Sequence, residues 1–401
     1  MSSVEPAPSG SHRGRGVLLV PRADRRPVLR KWLFIALGIV FFGCGGVAML
    51  LITGSRSGVT ATVFGFVLSL VVVGIVVPVF LWLDRFEREP TWMLICAFAW
   101  GACIATLGAV VLNDVGSYLF DPTHTQNTGA AVFVAPVVEE SMKALGPLLL
   151  LLWRRREVDG IVDGMVYAGL SAAGFAAVED IVYLAGGYAD SGDRGLFSTF
   201  LVRVVMSPFA HPMFTICTGI GIGVAVTTAR WWLRIGAPVV GWSAAVGLHF
   251  LWNVGAVLSQ RGWLIFYIAL QLPLFVGFMT LIVLARRHEG RMIGIHLGTY
   301  VDRGLLTPQE VQMLASVRER RYAEAWAERH GGKQAQREMR EFQEAGSELA
   351  MIQARLHRGQ HDRRTVQTEL QLLALVGERR TQFLDTALYR YYVDRAEQAG
   401  R

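Results

Sequence analysis

The sequence predicts an all-α protein: a polytopic membrane helix bundle of about eight spans followed by a cytosolic helical C-terminal domain. Three observations predict it. Mean hydropathy is positive (+0.38), with 52% hydrophobic and 18% charged residues, a balance found in multi-span membrane proteins rather than soluble ones. Apolar runs of about 20 residues, the length that crosses a bilayer, recur up to residue 285. Beyond that point the composition turns polar, with apolar residues at helical spacing.

In chain order, residues 1–31 are rich in Pro, Gly, Ser and Arg and lead into the first apolar run without a convincing cleavage site. They read as a disordered cytoplasmic tail. The membrane-embedded domain is expected over 32–285, with spans near 32–53, 59–83, 91–112, 130–153, 160–187, 198–229, 235–258 and 263–285. Basic residues mark alternate connections: Arg22 to Lys31, Arg85 with Arg88, Arg154 to Arg156, Arg230 with Arg234, and Arg286 with Arg287. By the positive-inside rule both termini are cytoplasmic in a multi-pass cell-membrane protein, and the loop Asn113 to Asn127 lies outside. Residues 286–401 form the cytosolic domain. Thr307, Pro308 and Glu310 compose a helix start, and helices are expected over 308–329, 333–357 and 364–397, separated by Gly331 with Gly332 and by Gly359.

The net charge of +7 flanks spans and fills the tail, so the expected partner is membrane lipid and not nucleic acid. Cys44, Cys96, Cys103 and Cys217 lie in apolar runs without metal-ligand spacing and read as packing residues.

The stretch Ala130 to Trp153 is the exception to this apolar character, because it carries Glu139, Glu140 and Lys143 in its interior. A charge at a span centre costs roughly 3 kcal/mol, and each Leu, Ile, Phe or Val returns about 0.3 to 0.6. Alone this span inserts poorly, so its charges must face companion helices or water. Glu139 and Lys143, four apart, share a helix face and are expected to pair, which leaves Glu140 free for chemistry.

Other spans supply a sparse polar set. The fifth holds Glu179 and Asp180, the sixth Arg203 and His211 with Pro208 and Pro212 placed to kink the helix, the seventh His249 and Asn253. Counted from the outer span ends, the acids and histidines fall roughly 12 to 20 Å deep on four helices of alternating direction. Two histidines and two or three carboxylates at one level suit either a metal site, with zinc the candidate ion and His211, His249, Glu140 and Glu179 the candidate ligands, or carboxylate-activated water. The histidines and Asn253 could hold the oxyanion formed when water attacks an amide. The combination points to peptide hydrolysis inside the membrane. A proton-coupled transporter and a non-catalytic membrane scaffold are the rivals, the first disfavoured by the lack of matching halves.

At these residues the chain resembles the PrsW family of intramembrane proteases, within the larger superfamily of type II CAAX prenyl endopeptidases. The matching elements are EExxK at Glu139-Glu140-Ser141-Met142-Lys143, FxxxE from Phe175 to Glu179, the solitary His211, and HxxxN from His249 to Asn253. They cover about 130–258. The resemblance implies membrane-embedded proteolysis with Glu139, Glu140, His211 and His249 in the active-site set and Glu179 and Asn253 in support. It also implies single-span membrane protein substrates such as anti-sigma factors. Asp180 stands where family members often have Asn, and Asn253 where they often have Asp.

Overall fold

A computed structural model describes residues 28–120, 127–154, 158–359, 361 and 363–399. The tail expected over 1–31 lies outside them up to residue 27, and helix begins at Val28. The described residues up to Phe41 belong to one unit and those from Phe42 onward to another; the site belongs wholly to the second.

Among the described residues there is no strand. The helices are α1 Val28–Ser57, α2 Val59–Leu83, α3 Thr91–Ala99, α4 Thr106–Phe120, α5 Asn127–Trp153, α6 Ile161–Phe200, α7 Ala210–Thr227, α8 Trp231–Ala256, α9 Gln260–Phe266, α10 Leu272–Asp302, α11 Pro308–Leu314, α12 Val317–His357 and α13 Arg363–Ala399. Wider π-helical turns join α3 to α4 (Trp100–Ala105), extend α6 (Leu201–Met206) and join α9 to α10 (Tyr267–Gln271).

Among the described residues, six helical runs are long and apolar enough to cross a membrane; α5, with its three charges, is not one of them. The fifth and sixth expected spans fall within one run, Ile161–Thr227. It bends at Ser191 and Gly192, where Gly192 has φ +59°, and it breaks at Ser207 to Phe209, so the single helix expected over 198–229 is two pieces. Pro208 has no N–H to continue the helix. The carbonyl groups freed there find hydroxyls instead: Ser207 donates to Val202 O at 2.6 Å and Tyr267 to Met206 O at 2.8 Å.

Helix α6 is the central element, buried on every face from Asp163 to Ala177. Small residues let its neighbours approach. A methyl group at Gly174 would lie 2.0 Å from Phe98 O, and one at Gly164 would lie 2.1 Å from Gly219 O, so no larger side chain fits without moving α3 or α7. Large apolar side chains remain exposed along α2 and α8, among them Val59, Leu70, Ile235 and Val240, as expected of faces turned to lipid.

The C-terminal helices have a separate core of Ile293, Leu297, Tyr300, Leu314, Phe342 and Leu349, into which Phe86 from the α2–α3 loop inserts. The predicted start at Thr307 is a capping box. The helix expected over 308–329 instead ends at Leu314; Ser316 accepts from Glu319 N and starts a new one. Gly332 (φ +72°) bends α12 and Gly359 (φ +83°) follows it.

Candidate active site

Helix α5 carries two prolines, and the second bears on the site. Pro147 cannot donate to Lys143 O; the Ser171 hydroxyl of α6 does so at 2.9 Å, while Trp100 Nε1, on the first residue of a π-helical turn, donates to Met142 O at 2.9 Å. These bonds hold the charged turn of α5 against α6 and α3.

Lys143 is fully buried. Its ammonium lies 2.9 Å from Glu140 Oε1, 3.5 Å from Glu139 Oε2 and 2.9 Å from His211 Nδ1, and 4.1 Å over the ring of Phe175. An ammonium only donates, so His211 Nδ1 accepts and its Nε2–H donates to Glu179 Oε2 at 2.5 Å. Glu179 also accepts from Arg203 Nη2 at 2.6 Å, and Arg203 Nε binds Asp180. His211 stands in the first turn of α7, directly after the break, and Pro212 beside it is tolerated because first-turn N–H groups have no intrahelical partner.

Glu140 is fully committed. Its Oε1 accepts from Lys143 and from His249 Nδ1 at 3.0 Å, and its Oε2 accepts from Thr215 Oγ1 at 2.7 Å. In its neutral form with Nδ1 donating, His249 presents Nε2 as a lone pair, 3.8 Å from Glu139 Oε2. That oxygen is buried with no hydrogen-bond partner among the described residues, while Glu139 Oε1 accepts from Asn113 Nδ2 at 3.4 Å. Two lone pairs on different helices thus face each other, and what fits between them is a proton donor or a cation.

The pair expected from spacing, Glu139 with Lys143, is present at 3.5 Å, but Lys143 lies nearer Glu140, which is not left free, and the carboxylate oxygen without a hydrogen-bond partner among the described residues is Glu139 Oε2. The reason is tertiary: His249 of α8 and Thr215 of α7 converge on Glu140. Ligand atoms of Glu139, His211 and His249 lie within 4.8 Å of one another, so the candidate metal group contains Glu139 in place of Glu140 and Glu179. Two imidazoles and a carboxylate match a catalytic zinc donor set, and bonds of roughly 2 Å would span the 3.8 Å between Glu139 and His249. His211 joins such a set only if its Nδ1 exchanges Lys143 for the ion, because Lys143 now occupies that lone pair.

Asn253 plays another part. Its Nδ2 donates to Ala131 O at 2.8 Å, eight residues and thus about 12 Å before Glu139 along α5. It ties α8 to the start of α5. Thr215, Asn113 and Ser171 were not anticipated; only Thr215, four residues after His211 on the same helix face, left a sequence signal. A cavity of about 250 Å³ bordered by Asp180, Arg203, Ser207, Trp252 and His211 reaches the imidazole beside the α7 break.

Fold and site together define a class: a polytopic helical membrane protein with a buried carboxylate, ammonium and imidazole centre where α5, α6, α7 and α8 meet. Residues 89–278 match the family described as PrsW family intramembrane metalloprotease. It is 31% identical over 136 residues to Protease PrsW of Clostridioides difficile (strain 630), covering 34% of this chain and 55% of that one. Against Protease PrsW of Oceanobacillus iheyensis the figures are 29% over 140 residues, 35% and 59%. The chain thus spans a little over half the length of the curated relatives it matches. No solved structure matches it. The matched segment contains all the residues of the centre; α11 to α13 lie beyond it.

Proposed function

We propose that the chain is an intramembrane endopeptidase in which Glu139 activates the attacking water. The observation that carries this is Glu139 Oε2, buried without a hydrogen-bond partner among the described residues, 3.5 Å from the Lys143 ammonium and facing His249 Nε2 at 3.8 Å. A water held by both lone pairs gives a proton to Glu139 as its oxygen bonds to the scissile carbonyl carbon. Glu139 then delivers that proton to the amide nitrogen as the C–N bond breaks, releasing amine and acid. The Lys143 ammonium is the cation nearest Glu139 Oε2 and supplies the charge that stabilises the oxyanion as it forms. Glu140 orients His249, and Glu179 with Arg203 orients His211. Substrates are single-span membrane proteins, with anti-sigma factors the class suggested by the resemblance. Both termini are placed in the cytoplasm by the arginine pattern, with 286–401 as the cytosolic domain.

The clustering of Glu139, His211 and His249 within 4.8 Å favours a second reading. There a divalent ion such as zinc would be held by these three side chains and would supply Lewis acidity to the water and the carbonyl, with Glu140 and Glu179 as the imidazoles' anchors.

The test is cleavage of a single-span reporter by purified full-length chain in proteoliposomes, with and without chelator. Glu139→Gln is expected to lose at least about 100-fold. Loss on chelation restored by zinc selects the second reading; indifference to chelator selects the first. Undiminished cleavage by Glu139→Gln removes it from the centre, and ion flux without cleavage overturns the protease altogether.

A further inference from the structure

A second charged cavity lies away from this centre. It measures about 350 Å³ and is bordered by Arg85, Phe86 and Arg88 of the α2–α3 loop and by Arg320, Arg321 and Arg340 of α12, with only Glu324 and Glu344 opposing five arginines. The two acids are engaged: Arg340 meets Glu324 at 2.7 Å and Arg88 meets Glu344 at 3.7 Å. Arg320 is buried and bonds only neutral acceptors, Leu314 O, Phe86 O and Ser347 Oγ. Arg85 and Arg321 have no hydrogen-bond or ion-pair partner among the described residues. Burial, then the neighbouring charges of Arg321 and Arg88, push the Arg85 guanidinium below its usual range. Guanidinium groups packed this way repel one another unless an anion lies among them.

The place of the cavity narrows the choice of anion. Arg85 comes two residues after Leu83, the end of a 25-residue apolar helix with exposed lipid-facing side chains, so its guanidinium stands at headgroup level. Planar arginine forks match phosphate oxygens. We propose that this pocket binds a phosphate-bearing anion, with the headgroup of an anionic phospholipid as its source, and so clamps the C-terminal helices to the membrane end of α2. The site stands independently of the proteolytic reading.

The experiment uses the full chain purified in neutral detergent. Short-chain phosphatidylglycerol, phosphatidylcholine and inorganic pyrophosphate are each titrated while the thermal midpoint and intrinsic fluorescence are followed, for wild type and for Arg85→Gln/Arg321→Gln. Phosphatidylglycerol is expected to saturate and raise the midpoint of the wild type, phosphatidylcholine to do neither, and the double variant to bind about tenfold or more weakly. Pyrophosphate binding with the same dependence on the two arginines, without a lipid response, keeps the phosphate site and assigns it to a soluble ligand. Should the double variant misfold, the charge-conserving Arg85→Lys and Arg321→Lys variants substitute, each expected to weaken binding through loss of the bidentate fork. Equal phosphatidylglycerol affinity in wild type and folded variants, or no saturable binding by either anion, overturns the proposal.

Discussion

At the scale of single residues, Glu139 and Glu140 are chemically identical neighbours whose environments assign them opposite tasks. Glu140 accepts hydrogen bonds from Lys143, His249 and Thr215, whereas Glu139 keeps one oxygen without a hydrogen-bond partner among the described residues. Their Gln variants should therefore differ in kind. Glu139→Gln is expected to abolish cleavage with little change in thermal midpoint. Glu140→Gln leaves the buried Lys143 short of its nearest counter-charge and is expected to destabilise by about 3 to 5 kcal/mol, read as a lowered midpoint as well as lost activity. If both variants lose activity at unchanged stability, the assignment of Glu140 as an anchor is wrong. The Phe of the FxxxE motif finds its reason here too, since Phe175 sits beneath the Lys143 ammonium and against the His211 ring. The motif's residue types were legible in the sequence; which carboxylate remains free was not, because His249 and Thr215 are more than 70 residues away along the chain.

At the scale of elements, the site depends on helices that depart from regularity at chosen points. Pro147 leaves Lys143 O without its helical donor and Ser171 replaces it. Ser171→Ala is expected to cost about 1 to 3 kcal/mol by leaving that carbonyl buried and unsatisfied. Adding Pro147→Ala restores an N–H at the right position, so the double variant should recover most of the loss in thermal midpoint. Strict additivity of the two substitutions would show that the hydroxyl is not standing in for the missing amide. The break between α6 and α7 works in the same way. It places His211 in a first helical turn, where it meets Lys143 on one side and Glu179 on the other. Pro208 and Pro212 advertised a disturbance, but a proline pattern distinguishes poorly between a kinked helix and two helices. The outcome rested on Tyr267, from another element, being able to satisfy Met206 O.

At the scale of the whole molecule, helix α10 joins two cores. Phe278 and Ile282 belong to the membrane core, and Ile293, Leu297 and Tyr300 to the core of the C-terminal helices. Where the two cores meet, the α2–α3 loop buries carboxyl groups. Burial pushes Asp84 up to about 7, with Asp163 adding to the rise and the Glu89 N–H and Arg88 opposing it, and burial likewise pushes Glu89 up to about 10. A carboxyl whose folded pKa lies above its unfolded value near 3.8 contributes stability that is complete at low pH and is lost as pH rises through about 7. The thermal midpoint in detergent is therefore expected to fall between about pH 4 and about pH 7, and Asp84→Asn should flatten that slope. A slope that is unchanged in Asp84→Asn assigns the pH dependence to other groups. Since α12 docks on the same loop, through Arg320 and Ser347 to Phe86 O, the loss should appear first as loosening of the C-terminal helices, read by limited proteolysis.

The sequence by itself determined the helical class, the membrane setting and the residue types of the centre, because apolar run length and the cost of burying charge act on local composition alone. It also supplied the capping box at Thr307, a contact made within four residues. What only the tertiary structure decided is how those residues share protons and lone pairs: that Glu139 Oε2 has no hydrogen-bond partner among the described residues, that Glu140 anchors His249, that Asn253 serves Ala131, and that five arginines from two parts of the chain line one cavity. Hydrogen bonds and ion pairs depend on distances of a few tenths of an ångström between groups on different helices, and those distances are set by how small residues such as Gly164 and Gly174 let the helices approach.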